Sequence, residues 1–163
     1  MYRKNDISLP KNTVVPDHIA IILDGNRRWA RARKLPTLYG HKAGFDAGME
    51  LARASRVWGV HTFTVWGFST ENWDRSQEEI SYLFKLFKRM VKVVEDEAEK
   101  DDIRFIHLGR KDRLPADLVK YIECVEEKTK NHKKHVFNVA LDYGGHDEIL
   151  RATKKIINDK VPA

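Results

Sequence analysis

Cysteine is almost absent: Cys124 is the one thiol in 163 residues. A single thiol forms no intramolecular disulfide and leaves no cysteine pair for a zinc site. A reducing, cytoplasmic compartment is the expectation. Long apolar runs are missing as well. Residues 18–23 and 136–141 fall far short of the roughly 20 residues that span a bilayer. Residues 1–12 hold no apolar stretch of the kind a secretory signal needs, so 1–15 reads as a polar arm. Neither a P-loop nor a Rossmann glycine fingerprint occurs, which argues against ordinary nucleotide binding. Repeats and low-complexity tracts are also lacking. The charge imbalance is small, 30 basic against 24 acidic residues for a net +6. That excess favours anionic partners without choosing between nucleic acid, anionic lipid and a diphosphate.

What is present is a globular composition, 42% hydrophobic and 33% charged, in a chain long enough for one core. Short β-rich runs alternate with helical periodicity. Residues 18–23 read as a strand buried on both faces, followed by turn chemistry at Asp24-Gly25-Asn26 and a helix start at Arg27. A second helix is expected over 41–58, with Phe45, Met49 and Ala52 on one face and Gly59 as its cap. A strand over 60–68 comes next. Ser76 and Glu79 form a capping-box pattern, and Ile80, Leu83, Phe84, Phe87, Met90, Val91 and Val94 follow the helical period. A third strand at 103–108, a helix from Pro115, a fourth strand at 135–141 and a last helix at 147–158 complete the pattern. Four strands each followed by a helix predict an α/β fold, a single domain over 16–163 with a largely parallel central sheet flanked by helices.

Two turns carry candidate chemistry. At Asp24-Gly25-Asn26-Arg27-Arg28-Trp29 a strand hands over to a helix within three residues. In such sheets ligands sit beyond the carboxyl ends of the strands. Helix-start N–H groups, a glycine and two arginines suit a phosphate. An aspartate beside that phosphate calls for a bridging cation, so Asp24 implies Mg²⁺. A plain strand–helix turn with solvated arginines fits the same residues. Phe68-Ser69-Thr70-Glu71-Asn72-Trp73-Asp74-Arg75 also follows a strand and should open on the same sheet edge. Ser69, Asn72 and Arg75 are candidates to bind phosphate or hold a proton acceptor. Trp73 either shields reacting carbons from water or folds back on the core. His41, beside Lys42 near a helix start, either donates to a phosphate or caps a surface helix.

Other clusters read as scaffold. Asp101-Asp102 resembles the start of an aspartate-rich metal motif, but Phe105 stands where another aspartate would be needed, so a helix-end turn is expected. His132 and His135 have metal-like spacing inside a lysine-rich stretch that opposes a cation. Residues 95–99 read as a solvated acidic helix end. The arginines cluster at turns and not along one face, which argues against a nucleic-acid surface.

The stretch from His18 to Ala30 resembles the first signature of the cis-prenyltransferases, the isoprenyl transferases that include undecaprenyl diphosphate synthase. Gly40-His41-Lys42-Ala43-Gly44 is similar to the second, Phe68 to Arg75 to the third, and Asn138 to Gly145 to a fourth. The resemblance implies Mg²⁺-dependent cis-condensation of isopentenyl diphosphate onto an allylic diphosphate such as farnesyl diphosphate. It places the metal and departure of the diphosphate on Asp24. Gly25, Asn26, Arg27 and Arg28 cradle the diphosphate, with Trp29 beside them and His41 close by. Proton removal is assisted by Asn72, and Ser69, Thr70, Glu71, Trp73 and Arg75 form the substrate loop. Leu86, Met90 and Val93 offer an apolar wall for the growing chain. The family is usually dimeric, and its lipid product implies peripheral contact with a membrane.

Two departures from the family pattern stand out. Thr37 replaces an arginine found in many bacterial members, and the chain stops at Val161-Pro162-Ala163. The resemblance implies further C-terminal strands carrying the isopentenyl diphosphate site, a second Mg²⁺ ligand and much of the dimer interface. The expectation is therefore a cis-prenyltransferase with the allylic site present and the isopentenyl site missing. The alternative is a non-enzymatic allylic-diphosphate-binding fragment or subunit whose missing part comes from a partner chain or a longer gene product, and a basic nucleic-acid-binding domain is a remote one.

Overall fold

The computed structural model describes residues 9–159. Residues 1–8 of the expected polar arm and the chain end at 160–163 lie outside the described residues. The element order is β1 (His18–Ile22), α1 (Asn26–Ala32), α2 (Thr37–Val57), β2 (Thr62–Ser69), a 3-10 turn (Thr70–Asp74), α3 (Gln77–Asp101), β3 (Ile103–Leu108), α4 (Ala116–Thr129), β4 (His135–Tyr143) and α5 (Gly145–Asn158). The strands lie in the order β1-β2-β4-β3 and every pair is parallel. Parallel neighbours need a long crossover, which is why a helical segment separates each strand from the next. The α/β expectation holds.

The core forms on one face of this sheet. Phe63, Phe137 and Phe105 are register partners across β2, β4 and β3, and their rings stack at 6.2 and 6.4 Å. Phe45, Met49 and Ala52 of α2, the periodic apolar face of α3, and Leu118, Ile122 and Val125 of α4 close over that row in one cluster. The opposite face is more polar: Thr64 Oγ1 accepts from Asn138 Nδ2 at 3.0 Å and meets His18 Nε2 at 2.7 Å.

Several expectations shift. β1 is not buried on both faces: it is an edge strand, and His18, Ala20 and Ile22 are exposed. Only Ile19 and Ile21 turn towards the core. α2 begins at Thr37, four residues before the expected start, because Pro36 ends the extended chain at φ −55 and ψ 145. Val60 is buried but precedes the strand, and its N–H donates to Ser55 O behind Gly59 at φ 88. Glu95 is more than a solvated helix end, since it accepts from Tyr121 Oη and Lys128 Nζ of α4, both at 2.6 Å. Glu97 likewise holds Arg53 and Arg56 of α2. α5 buries none of its residues, and Ile149, Leu150, Ile156 and Ile157 form an exposed apolar stripe. Among the described residues no helix is long and apolar enough to cross a membrane.

The scaffold clusters keep their structural roles. Asp102 ends α3 at φ 53, and its carboxylate accepts from the Lys133 and Lys134 N–H groups at 3.3 and 3.1 Å. His132 Nδ1 meets Ile103 O at 3.0 Å, whereas His135 Nδ1 meets Val60 O at 3.1 Å, so the two imidazoles serve different segments.

His135 and His107 are both buried, and burial pulls each imidazole below its ordinary pKa of 6.5 against a hydrogen bond that pulls upward. The unfolded chain therefore binds more protons than the native one just below pH 6.5, so stability rises with pH there and falls as the solution is acidified. The contribution is fully present above pH 6.5 and is lost as pH drops through the lowered native values. Urea midpoints measured from pH 8 to pH 5 should hold steady and then decline below 6.5. The decline should shrink in His107→Gln; a curve unchanged by that substitution contradicts the assignment.

Candidate active site

The first wall of the site is the turn after β1. Gly25 adopts φ 85 and caps α1 without any side-chain hydrogen bond. The first helical bond runs from Trp29 N–H to Gly25 O at 2.8 Å, so the amides of residues 26–28 precede the ladder and have no carbonyl to meet within it. Asp24 accepts from Gly25 N–H at 2.5 Å and from Arg28 Nη2 at 3.0 Å. Its side chain is 77% exposed and that of Arg28 75%, so this pair is screened by water and adds little stability. Asn26 faces inward, donating Nδ2 to Leu23 O at 3.1 Å.

Glycines of α2 make that inward placement possible. A Cβ on Gly40 would stand 2.0 Å from Asn26 O, and one on Gly44 2.2 Å from Asn26 Oδ1. The spacing of four puts both on one helix face. The Gly40–Gly44 motif therefore lets α2 touch the Asp24 turn with bare backbone.

The second wall comes from β2. Its pairing with β4 loses register at Gly67, where a Cβ would meet the Phe87 ring at 2.7 Å. Such irregularities re-aim side chains at strand ends. Ser69 and Asn72 then form a reciprocal capping box, with Asn72 Oδ1 accepting from Ser69 N–H at 3.2 Å. Glu71 is exposed beside the Ser69 hydroxyl, which holds its carboxyl below the usual range.

Between the walls, His41 is buried and pairs with Glu79, Nε2 to Oε1 at 2.9 Å. The same oxygen accepts from Arg75 Nη1 at 3.0 Å. Burial lowers the His41 pKa below 6.5 although the Glu79 contact pulls the other way. An imidazole with its proton on Nε2 donates to this carboxylate. His41 is thus a link between α2 and α3 rather than a surface cap. Ser76 does cap α3, accepting from Glu79 N–H at 3.3 Å. The return half of the expected box is not made, because the Glu79 side chain is committed to His41 and Arg75.

These walls enclose a cavity of about 690 Å³. Of the residues singled out in the sequence, Asp24, Gly25, Asn26, Arg27, Arg28, His41, Ser69, Glu71, Asn72 and Arg75 line it. Three candidates do not. Trp29 lies outside with the Arg33 guanidinium 4.3 Å from its ring centroid. Thr70 packs on Gly144. Trp73 folds back, its ring 5.2 Å from Phe68 and its Nε1–H donating to Asp142. The apolar interior is made by Phe45, Trp66, Leu83, Leu86 and Phe87. Leu86 is where the wall was expected, whereas Met90, a turn further along α3, belongs to the core. Arg31 also lines the mouth and was missed, although its spacing of four from Arg27 puts it on the same face of α1. The result is a cationic mouth over an apolar bowl, suited to an anionic head with a hydrocarbon tail.

The family model for putative undecaprenyl diphosphate synthases matches residues 22–162. An isoprenyl transferase of Aquifex pyrophilus is 42% identical over 143 residues, covering 88% of this chain and 62% of that protein. The tritrans,polycis-undecaprenyl-diphosphate synthase (geranylgeranyl-diphosphate specific) of Pyrococcus furiosus is 39% identical, covering 98% of this chain and 61% of its own length. Among solved structures, lavandulyl diphosphate synthase from Lavandula x intermedia, in complex with dimethylallyl diphosphate, superposes with a TM-score of 0.80. It is 32% identical and covers 88% of this chain and 62% of that one. A probable undecaprenyl diphosphate synthase from Campylobacter jejuni gives a TM-score of 0.67 at 31% identity, with 90% and 64% coverage. The chain thus spans a little over three fifths of the length of these relatives.

The glycine contact makes a direct prediction. Gly40→Ala drives a methyl group into the Asn26 carbonyl and should cost about 1–3 kcal/mol by overpacking. Urea denaturation measures it; a variant as stable as its parent would mean that α1 is not seated on α2 in this way.

Proposed function

The chain belongs to the undecaprenyl diphosphate synthase family, and from that premise we propose that it seats an allylic diphosphate at the Asp24 turn for cis-condensation with isopentenyl diphosphate. The observation that carries this is the division of the cavity. Exposed Arg27, Arg28 and Arg31 and half-buried Arg75 line it together with buried Phe45, Leu83, Leu86 and Phe87. A diphosphate at the mouth meets bidentate donors and the leading amides of α1, while the prenyl tail lies on apolar walls. The solved relative that carries dimethylallyl diphosphate supports this ligand class. In this reading residues 16–163 form the prenyltransferase-like domain.

In the reaction the carbon–oxygen bond to the diphosphate breaks, a carbon–carbon bond to the isopentenyl unit forms, and a proton leaves that unit. The arginines are placed where negative charge grows on the departing diphosphate, the point at which fixed positive charge lowers the barrier most. Arg75 is held for this by Glu79, which His41 locks in turn. Asn72 lines the cavity from the capping box and is assigned to orient the proton acceptor.

Mg²⁺ fits the donor set. Asp24 is a hard, exposed carboxylate that lines the cavity. One carboxylate together with substrate phosphates and water is a donor set that suits Mg²⁺. Bound there, Mg²⁺ supplies charge neutralisation for the diphosphate. The isopentenyl site, dimerisation and contact with a membrane surface are assigned to the whole protein or a partner chain. A cytoplasmic setting completes the proposal.

The test uses the purified chain, farnesyl diphosphate, labelled isopentenyl diphosphate and Mg²⁺. Calorimetry should show binding of farnesyl diphosphate, weakened about tenfold or more in Arg27→Ala. Extracted polyprenyl product should fall at least about a hundredfold in Asp24→Ala. Binding without turnover would place condensation on the rest of the protein. No binding at all, with salt-sensitive RNA binding instead, sinks the proposal.

A further inference from the structure

Asp142 lies at the end of β4 with no exposed surface and a backbone φ of 54. Few residues other than glycine accept that conformation, and asparagine and aspartate are among them. Three donors from two other segments converge on its carboxylate. Trp73 Nε1–H reaches Oδ1 at 2.8 Å, Arg113 Nε–H reaches Oδ2 at 2.8 Å, and Arg113 Nη2 closes the fork on Oδ1. The Arg113 guanidinium also stands 5.5 Å from the Trp73 ring centroid. Gly109 seals the join from β3, since a Cβ there would meet Leu141 O at 2.4 Å. One carboxylate therefore ties together the end of β4, the loop before α4, and the 3-10 turn that follows β2.

None of the five residues of that turn is buried. Glu71 and Asn72 line the cavity with Ser69 at the end of β2, while Trp73 packs the other way on Phe68 and Phe84. Thr70 rests on Gly144, also just beyond β4, where a Cβ would come within 2.4 Å of Thr70 Oγ1. The back of the turn is thus seated on the β4 end at two successive points. A buried ion pair is weak evidence for stability, because well-packed apolar side chains of similar volume often serve a core better. What an aspartate adds is direction: it fixes the Trp73 N–H and the Arg113 fork in one arrangement.

We propose that Asp142, clamped by Arg113, is a positioning residue for the Ser69–Asn72 side of the cavity. It holds Trp73, and through Trp73 it sets the 3-10 turn that presents Asn72. The effect on catalysis rests on the prenyl-transfer reading; the mechanical effect on the turn does not.

Two variants test it. Asp142→Asn removes the charge and turns a donor towards Arg113, and Trp73→Phe keeps a ring while deleting the N–H. Hydrogen exchange of residues 69–74 should speed up about tenfold in each, with α3 and α4 unchanged, because the turn loosens locally. The double variant should go no further than the larger single one. With farnesyl and isopentenyl diphosphates, kcat should drop about tenfold while KM for the allylic substrate stays within about twofold, as expected for misplaced and not missing contacts. Unchanged exchange in the turn overturns the proposal, as does exchange raised equally across β3 and α4, the mark of plain destabilisation. A looser turn with kcat intact in an active parent overturns the catalytic half. Should Asp142→Asn fail to fold, Trp73→Phe decides. A parent without binding or turnover would defeat the prenyl-transfer reading, and the exchange result would still decide whether Asp142 sets the turn.

Discussion

Helix α2 meets the Asp24 turn through bare backbone, and the geometry of the cavity depends on that contact. Gly40 and Gly44 leave room for the Asn26 carbonyl and amide, and any Cβ at either position would collide with them. With Asn26 drawn in, the short helix α1 lies across the mouth and carries Arg27, Arg28 and Arg31 to its rim. The same approach brings His41, between the two glycines, against Glu79 of α3. A single tight contact therefore sets both the cationic rim and the link to the second wall.

The segment after β2 is held from two sides by buried carboxylates. Glu79 grips Arg75 at its end, and Asp142 grips Trp73 from beneath. Each carboxylate has two partners from different elements, so each is satisfied and each acts as a junction. This is how a five-residue turn with no buried residue of its own keeps a defined place beside the cavity. The exposed arginines of α1 are held differently: Arg28 makes a pair with Asp24 that water screens.

Much of this was legible. The apolar period of α3 and the short β-rich runs predicted the elements, and their alternation predicted a parallel sheet. The same order put the Asp24 turn and the Ser69–Arg75 loop beyond strand ends on one edge, and Asp24, Ser69, Glu71, Asn72 and Arg75 line one cavity there. The misses have physical causes. Residues 18–23 are apolar enough for a central strand, but position in a sheet is a matter of neighbours, and β1 has only β2 beside it among the described residues. Ser76 and Glu79 have capping-box spacing, yet a helix 38 residues away takes the Glu79 side chain. The reciprocal box formed instead at Ser69 and Asn72, where the sequence pattern drew attention to ligand chemistry.

Sequence alone determined what is local here: periodicity, turn residues at strand ends, and motifs long enough to identify a family. These depend on neighbours within a few residues, so they are written in the order of the chain. Tertiary structure decided the partners of His41, Trp73 and Glu95, and which arginines reach the mouth. Those contacts join residues 26 to 69 positions apart, such as Tyr121 to Glu95 and Trp73 to Asp142. No local rule selects one such partner over another; the packing of α2, α3 and α4 on the sheet does.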